Sequence, residues 1–183
     1  KTTCYEAGLR TPFLVRWPGH VPAGAVDESS VVTAVDLPLT LCGAAGVAVP
    51  SETANRLDGE NMSAALLGRP IARTKPIFWE YGRTANAHGH PKGDDRSPNL
   101  AVRDGKWKLL VNDDGTSREL YDIPADPKET TNVADANAPV VEDLTRRVLA
   151  WRKTLPSRSH SMGSAATPSR SSARRYEGST RTP

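Results

Sequence analysis

Between residues 99 and 155 the apolar residues switch from a period of two to a helical period, and that switch dictates a sheet covered by a helix. Residues 99–103 and 106–112 alternate in strand fashion around Asp104-Gly105, a two-residue hairpin signal. In the second of these runs Trp107, Leu109 and Val111 fall on one face, and Lys106 and Lys108 on the other. Asp113-Asp114-Gly115 marks the next turn, and residues 118–123 read as a third strand. Pro139 suits the first turn of a helix in which Val141, Leu144, Val148, Trp151 and Leu155 form one apolar stripe. A further strand is expected at 76–81, through Ile77-Phe78-Trp79-Glu80-Tyr81. These parts make a small C-terminal antiparallel sheet packed by one helix.

The rest of the chain is less regular. An apolar run at Phe13-Leu14-Val15, entered through Gly8 and Pro12 and closed by Pro18-Gly19, reads as a buried strand. The chain opens with Lys1 rather than methionine, which suggests a protein cut before this point. A helix is expected from about Ala34 or Asp36, with Asp36 as its N-cap and Pro38 in its first turn. Residues 51–98 look mostly irregular apart from the strand at 76–81. Within them, 82–98 is a long polar stretch carrying Arg83, His88, His90, Lys92, Asp94, Asp95 and Arg96, which suits a loop at the mouth of a site.

Composition matters chiefly for the tail. Residues 155–183 hold eight serines, five arginines and one glutamate, so they carry +4 and leave about −1 on residues 1–154. The net charge of +3 therefore gives no reason to expect a nucleic-acid surface on the folded part. A Ser/Arg-rich tail buries too little apolar area to offset its ordering entropy, and residues 156–183 are expected to be disordered. Cys4 and Cys42 fit no metal-ligand spacing; Cys42 sits in an apolar segment and reads as a buried small hydrophobe. No apolar run approaches the ~18 residues of a membrane helix, so no membrane span is expected.

Five segments, taken in order, resemble the sulfatase family, the arylsulfatase-like esterases of the alkaline-phosphatase-like superfamily. The first is Lys1-x-x-x-Tyr5-Glu6-x-Gly8-x-Arg10-x-Pro12, running into Phe13-Leu14-Val15-Arg16-Trp17-Pro18-Gly19. Asp36-Leu37-Pro38-Leu39-Thr40 with Ala45-Gly46-Val47 is similar to a helix of the family, though it shifts the usual proline by one place. Leu57-Asp58-Gly59-Glu60-Asn61 with Leu66-Leu67-Gly68 resembles the family's turn. Ala101-Val102-Arg103-Asp104-Gly105-Lys106-Trp107-Lys108-Leu109 resembles its hairpin, and Glu119-Leu120-Tyr121-Asp122 through Asp126-Pro127, Glu129 and Asn132 its last strand and turn. The resemblance covers residues 1 to about 155. It implies three parts: 1–75 as the end of the large α/β domain and its mixed sheet, 76–155 as a small C-terminal subdomain, and 156–183 as the tail. It also implies a secreted or periplasmic enzyme.

Cleaving a sulfate ester needs a nucleophile, a cation against the sulfate oxygens and an acid for the leaving oxygen. The resemblance implies a formylglycine nucleophile, made from the Cys or Ser of a Cys/Ser-x-Pro-x-Arg motif, and a divalent metal, usually calcium, held by two adjacent Asp near the start and an Asp-Asn or Asp-Gln pair just before the lysine segment. This sequence contains neither element. Ala166-Thr167-Pro168-Ser169-Arg170 and Thr154-Leu155-Pro156-Ser157-Arg158 come close only by chance in a Ser/Arg/Pro-rich tail, and Asp94-Asp95 and Asp113-Asp114 read as solvated loop or turn acids. Lys1 is the candidate catalytic residue, since the family's lysine at this position pairs with the sulfate oxygens. Glu6 and Arg10 read as a structural ion pair or as support for loop backbone. His88 and His90 are candidate substrate contacts at the rim; an i, i+2 His pair could equally bind a metal weakly or stay solvated. The expectation is a fragment of a sulfuric ester hydrolase acting on an aryl or carbohydrate sulfate, inactive alone, with Ca2+ and formylglycine supplied by the parent enzyme. A phosphomonoesterase or phosphonate hydrolase on the same scaffold, or a non-catalytic binding module, are the alternatives.

Overall fold

The computed structural model describes residues 3–81 and 96–156 of the 183-residue chain. Its centre is a four-stranded antiparallel sheet in sequential order: β1 (Ile77–Glu80), β2 (Leu100–Asp104), β3 (Trp107–Val111) and β4 (Glu119–Asp122). Asp104 pairs with Trp107 across the β2–β3 turn, leaving Gly105 and Lys106 as its two loop residues. Gly105 has φ +55°, the positive value that a tight hairpin needs at its first loop position and that glycine adopts without steric cost.

Helix α5 (Ala138–Thr154) covers one face, with Pro139 in its first turn as the sequence predicts. Val141, Leu144 and Val148 pack against Leu100, Val102, Leu109, Val111 and Leu120 in a single apolar cluster. Trp151 is only partly buried and stacks on Phe78, with ring centroids 5.1 Å apart. Beside that stack Arg152 pairs with Glu80 at 2.8 Å, tying the last turn of α5 to the edge strand.

The opposite face is also covered, because Cys4 sits fully buried among Ala101, Leu110, Tyr121 and Ile123. Both faces of β2 and β3 are therefore buried, and Lys108, which alternation puts opposite the helix, is 0% exposed. The one-turn helix α1 (Glu6–Leu9) starts two residues after Cys4, with Tyr5 at its N-cap position.

Residues 11–76 contain no strand. The strand expected at Phe13-Leu14-Val15 is absent: Leu14 is 92% exposed and Phe13 54%. A β-strand exists only through hydrogen bonds to a neighbour, and no described strand lies beside this run. Trp17 stacks on His20 (ring centroids 4.2 Å apart) to close the turn through Pro18-Gly19. The helix expected from Ala34 or Asp36 forms as a 3-10 turn, Ala34–Asp36, continuing into α2 (Leu37–Ala44). Two short helices, α3 (Ser51–Asn55) and α4 (Ser63–Leu66), come next. Cys42, expected to be buried, is only partly so, whereas Cys4 is fully buried; both thiols are free. Among the described residues no helix is long and apolar enough to cross a membrane.

Candidate functional site

The best-defined polar construction lies on the face of the sheet away from α5, where residues 4–6 lie across the strands. The Cys4 backbone N–H donates to Ser97 Oγ at 2.8 Å, and its thiol approaches the Asn99 carbonyl at 3.8 Å. The Tyr5 hydroxyl donates to Glu119 Oε2 at 2.8 Å, an oxygen that also accepts from Tyr121 at 2.9 Å. The Glu6 backbone N–H donates to Glu129 Oε2 at 2.6 Å. Three consecutive residues are thus held by the approach to β2, by β4 and by the turn after β4.

An ionic triad lies at the centre of this arrangement. Lys108 Nζ is 2.9 Å from Glu6 Oε1 and 2.9 Å from Glu129 Oε1, with the Trp79 ring 5.8 Å away. The Lys108 side chain is fully buried and that of Glu129 is 2% exposed. An ammonium taken out of water is stable only with counter-charges beside it; Glu6 accepts a hydrogen bond from it and Glu129 faces it as an ion pair. Glu129 has φ +55°, a left-handed conformation that costs a non-glycine residue of order 1–3 kcal/mol and persists only when its surroundings hold it. Here the Lys108 ammonium and the Glu6 amide, both on the Glu129 carboxylate, provide that hold. Arg103 adds a looser contact, 3.9 Å from Glu6 Oε2. The expected partnership of Glu6 with Arg10 is replaced by Lys108: Glu6 is a structural ion-pair residue, but its counter-charge comes from β3.

The groups here are not set up as nucleophiles. Burial pushes the Cys4 thiol up to about 11, although the nearby Lys108 pulls the other way. Burial and the Glu119 carboxylate together raise both Tyr5 and Tyr121 above the ordinary phenol value. All three are protonated at neutral pH, which suits hydrogen-bond donors holding a segment in place.

A second polar knot sits under α2. Asp36 is 0% exposed and pairs with Arg73 at 2.5 Å. It also accepts from the Thr33 N–H at 2.7 Å, the Thr33 hydroxyl at 3.0 Å and the Glu60 N–H at 3.0 Å. Asp36 holds the N-cap position of α2 as expected, but its side chain makes no capping bond to that helix; it reaches back to Thr33 and closes the capping box of the preceding 3-10 turn. Burial favours the neutral acid, yet Arg73 and the backbone donors outweigh it and hold the carboxyl below its usual range. Glu60 binds Thr74 and the Lys75 N–H, so the 57–61 turn locks to 73–75. Gly59 is needed because a Cβ there would overlap the Val35 carbonyl.

Lys1, His88 and His90 lie outside the described residues. The arrangement that leads to Lys1, at Cys4-Tyr5-Glu6, is described and tightly fixed. Among the described residues no group of three or more His, Cys, Asp or Glu could hold a metal ion, so the described acids do not form a calcium site. Asp114 accepts from Thr116 N–H at 2.9 Å and its hydroxyl, closing a turn as expected. The triad was missed in the sequence, where Lys108 reads as an outward lysine; its signal was the glutamates within two of the five motifs.

A family model described as N-sulphoglucosamine sulphohydrolase, C-terminal, matches residues 1–154. The chain belongs to this sulfatase family. It is 31% identical to human arylsulfatase A over 149 residues, which is 80% of this chain and 26% of that protein. Over 88 residues it is 42% identical to human N-acetylgalactosamine-6-sulfatase, covering 48% of this chain and 16% of the relative. Among solved structures it is similar to a sulfatase from work on the metabolism of multiple glycosaminoglycans by Bacteroides thetaiotaomicron. That likeness has a TM-score of 0.60 and 25% identity, over 85% of this chain and 31% of the other. The mixed α/β arrangement is thus that of the alkaline-phosphatase-like sulfatases. The chain spans about a quarter of the length of arylsulfatase A, the first of these relatives.

Proposed function

We propose that this chain is the C-terminal part of a sulfuric ester hydrolase, and that Lys1 binds the sulfate group of its substrate. The observation that carries this reading is the family match across residues 1–154, which takes in the lysine motif whose following residues are pinned to the sheet. A compact ammonium held against sulfate oxygens stabilises the charge that develops as the ester bond breaks, most strongly where water is excluded. Calcium and the formylglycine nucleophile belong to the parent enzyme and are not carried by this chain, which is inactive alone. Residues 1–75 form the end of the large domain and 76–155 a small subdomain beside the site. The exposed Phe13, Leu14, Val26, Leu41 and Val47, all in the first of these parts, support that division. His88 and His90 contact the substrate beyond its sulfate. A carbohydrate sulfate is favoured by the likeness to N-acetylgalactosamine-6-sulfatase, and an aryl sulfate by that to arylsulfatase A. The parent is a secreted or periplasmic enzyme.

The test is Lys1→Met in the complete enzyme, assayed with a nitrophenyl sulfate, a 6-sulfated N-acetylgalactosamine saccharide and the matching phosphate esters. Loss of one such donor should lower kcat about 10²–10³-fold on the preferred sulfate ester without lowering Tm. Unchanged kcat would remove Lys1 from the mechanism. Faster turnover of phosphate than sulfate would favour the phosphomonoesterase alternative.

A further inference from the structure

We propose that the cavity between α1 and the turn after β4 is an anion site, in which Arg10 and Lys128 bind the sulfate group of a sulfated saccharide. The cavity has a volume of about 340 Å³ and is lined by Glu6, Ala7, Arg10, Pro127 and Lys128. The choice of a saccharide rests on the sulfatase reading given above; the cavity and its charges do not.

Both cations are exposed, and the carboxylates around them are already used. Glu6, the partner expected for Arg10, is held by Lys108 at 2.9 Å, and its other oxygen faces Arg103 at 3.9 Å. Glu129, next to Lys128 in the chain, is likewise paired with Lys108. Asp126 accepts from the Thr130 and Thr131 N–H groups at 2.8 Å each. Among the described residues neither Arg10 nor Lys128 forms an ion pair of its own. Counted with Lys108 and Arg103, four cations stand against three carboxylates, so positive charge is left over.

Arg103 feels that excess. Its Nε is buried and finds no hydrogen-bond acceptor among the described residues. Burial lowers its pKa most, Glu6 opposes this, and the charge of Arg10 adds to the lowering. The two guanidinium groups thus repel, and the carboxylate that would relieve them is taken by Lys108. An oxyanion with several acceptor oxygens answers the deficit, since an arginine grips it with two parallel bonds and a lysine meets it as a point charge. The apolar lining of Ala7 and Pro127 suits a sugar ring better than a bare hydrated ion.

Isothermal titration of the 183-residue chain tests this, at low and fixed ionic strength because salt screens exposed charges. The probes are 6-sulfated N-acetylgalactosamine, the unsulfated sugar and sodium sulfate. The parent chain should bind the sulfated sugar, bind sodium sulfate more weakly and leave the unsulfated sugar unbound. Arg10→Gln and Lys128→Gln should each weaken the sulfated sugar about five-fold, the size expected of an exposed charge pair, and Arg10→Lys should lose less. Both side chains are exposed, so these changes leave the packed core untouched. Lys153→Gln, on α5 at the other face of the sheet, should change nothing. The tail arginines are the same in every variant and cancel from the comparison. No binding by the parent, unchanged affinity in Arg10→Gln and Lys128→Gln, or an equal loss in Lys153→Gln would overturn the proposal. Sodium sulfate binding as tightly as the sulfated sugar would overturn the saccharide as ligand. None of these outcomes touches the reading of Lys1, which turnover by the complete enzyme decides.

Discussion

The sheet–helix region and the stretch from residue 11 to 57 are built by opposite rules. In the first, β2 and β3 are covered on both sides, by α5 and by Cys4-Tyr5-Glu6, and even a lysine is fully enclosed. In the second, Phe13, Leu14, Val15, Val26, Val35, Leu41, Val47 and Leu57 are all exposed, and order comes from polar knots such as Asp36–Arg73. Apolar burial grows with every neighbour an element finds, so a region with paired strands closes a core; one without must rely on hydrogen bonds and ion pairs. The difference teaches that this chain holds one closed core and one stretch whose apolar residues, Leu39 apart, are mostly left at the surface.

The largest effect should come from breaking the enclosed region at its charge. Lys108→Met in the 183-residue chain removes the shared cation of Glu6 and Glu129 and leaves two carboxylates facing an apolar side chain. Removing one partner of a buried ionic group costs about 3–5 kcal/mol. Urea unfolding followed by tryptophan fluorescence should show a loss of that size. A loss under ~1 kcal/mol would mean that water reaches the triad and that the two regions differ less than described here.

How much of this contrast could be read in the sequence follows from the range of the forces involved. The hairpin at Gly105, the strands at 77–80 and 119–122 and the helix from Pro139 are written in local periodicity and turn chemistry, and all appear within one residue of where expected, the hairpin loop being Gly105-Lys106 rather than Asp104-Gly105. Lys108 was legible as facing away from the helix but not as buried, because its counter-charges are 102 residues before it and 21 after it. Phe13-Leu14-Val15 misled for the reverse reason: three apolar residues between turn signals have strand chemistry, but a strand also needs a neighbour that local sequence does not specify. Asp36 was legible as a capping residue; its bond to Arg73, 37 positions later, was not. The sulfate-site candidates Lys1, His88 and His90 lie outside the described residues, so Lys1 rests on its family motif and the two histidines on their place in a long polar stretch.

A middle-sized effect should separate the two regions by pH. The Asp36 carboxyl is held below its usual range, because Arg73 and the Thr33 and Glu60 amides outweigh the burial that would raise it. A depressed carboxyl pKa stabilises the fold above the unfolded-chain value of ~3.9, and the contribution is lost as pH falls through the folded value. Glu60, also lowered, acts in the same direction within the same knot: its burial is outweighed by the Thr74 and Lys75 donors and by Arg73. Asp36→Asn should therefore cost more at pH 7 than at pH 3, the gap from the parent chain narrowing on acidification. A gap independent of pH would show that the knot works through hydrogen-bond geometry rather than charge.

The smallest effect is the sharpest test of the open region. Leu14 is 92% exposed, so Leu14→Ser in the 183-residue chain removes almost no buried area and should shift stability by no more than about 0.5 kcal/mol, as surface changes do. In the complete enzyme the same change should be far more costly if the rest of a sulfatase covers this run, because fully burying a leucine contributes about 1.5–3 kcal/mol and a serine there would need a hydrogen-bond partner. The comparison of the two ΔΔG values, short chain against complete protein, is the measurement. Equal small values in both would leave Leu14 exposed in the parent too, and the division of residues 1–75 from 76–155 would lose its physical support. A large value only in the complete protein would mean that the strand chemistry of Phe13-Leu14-Val15 is real and is satisfied by a neighbour supplied elsewhere in the enzyme.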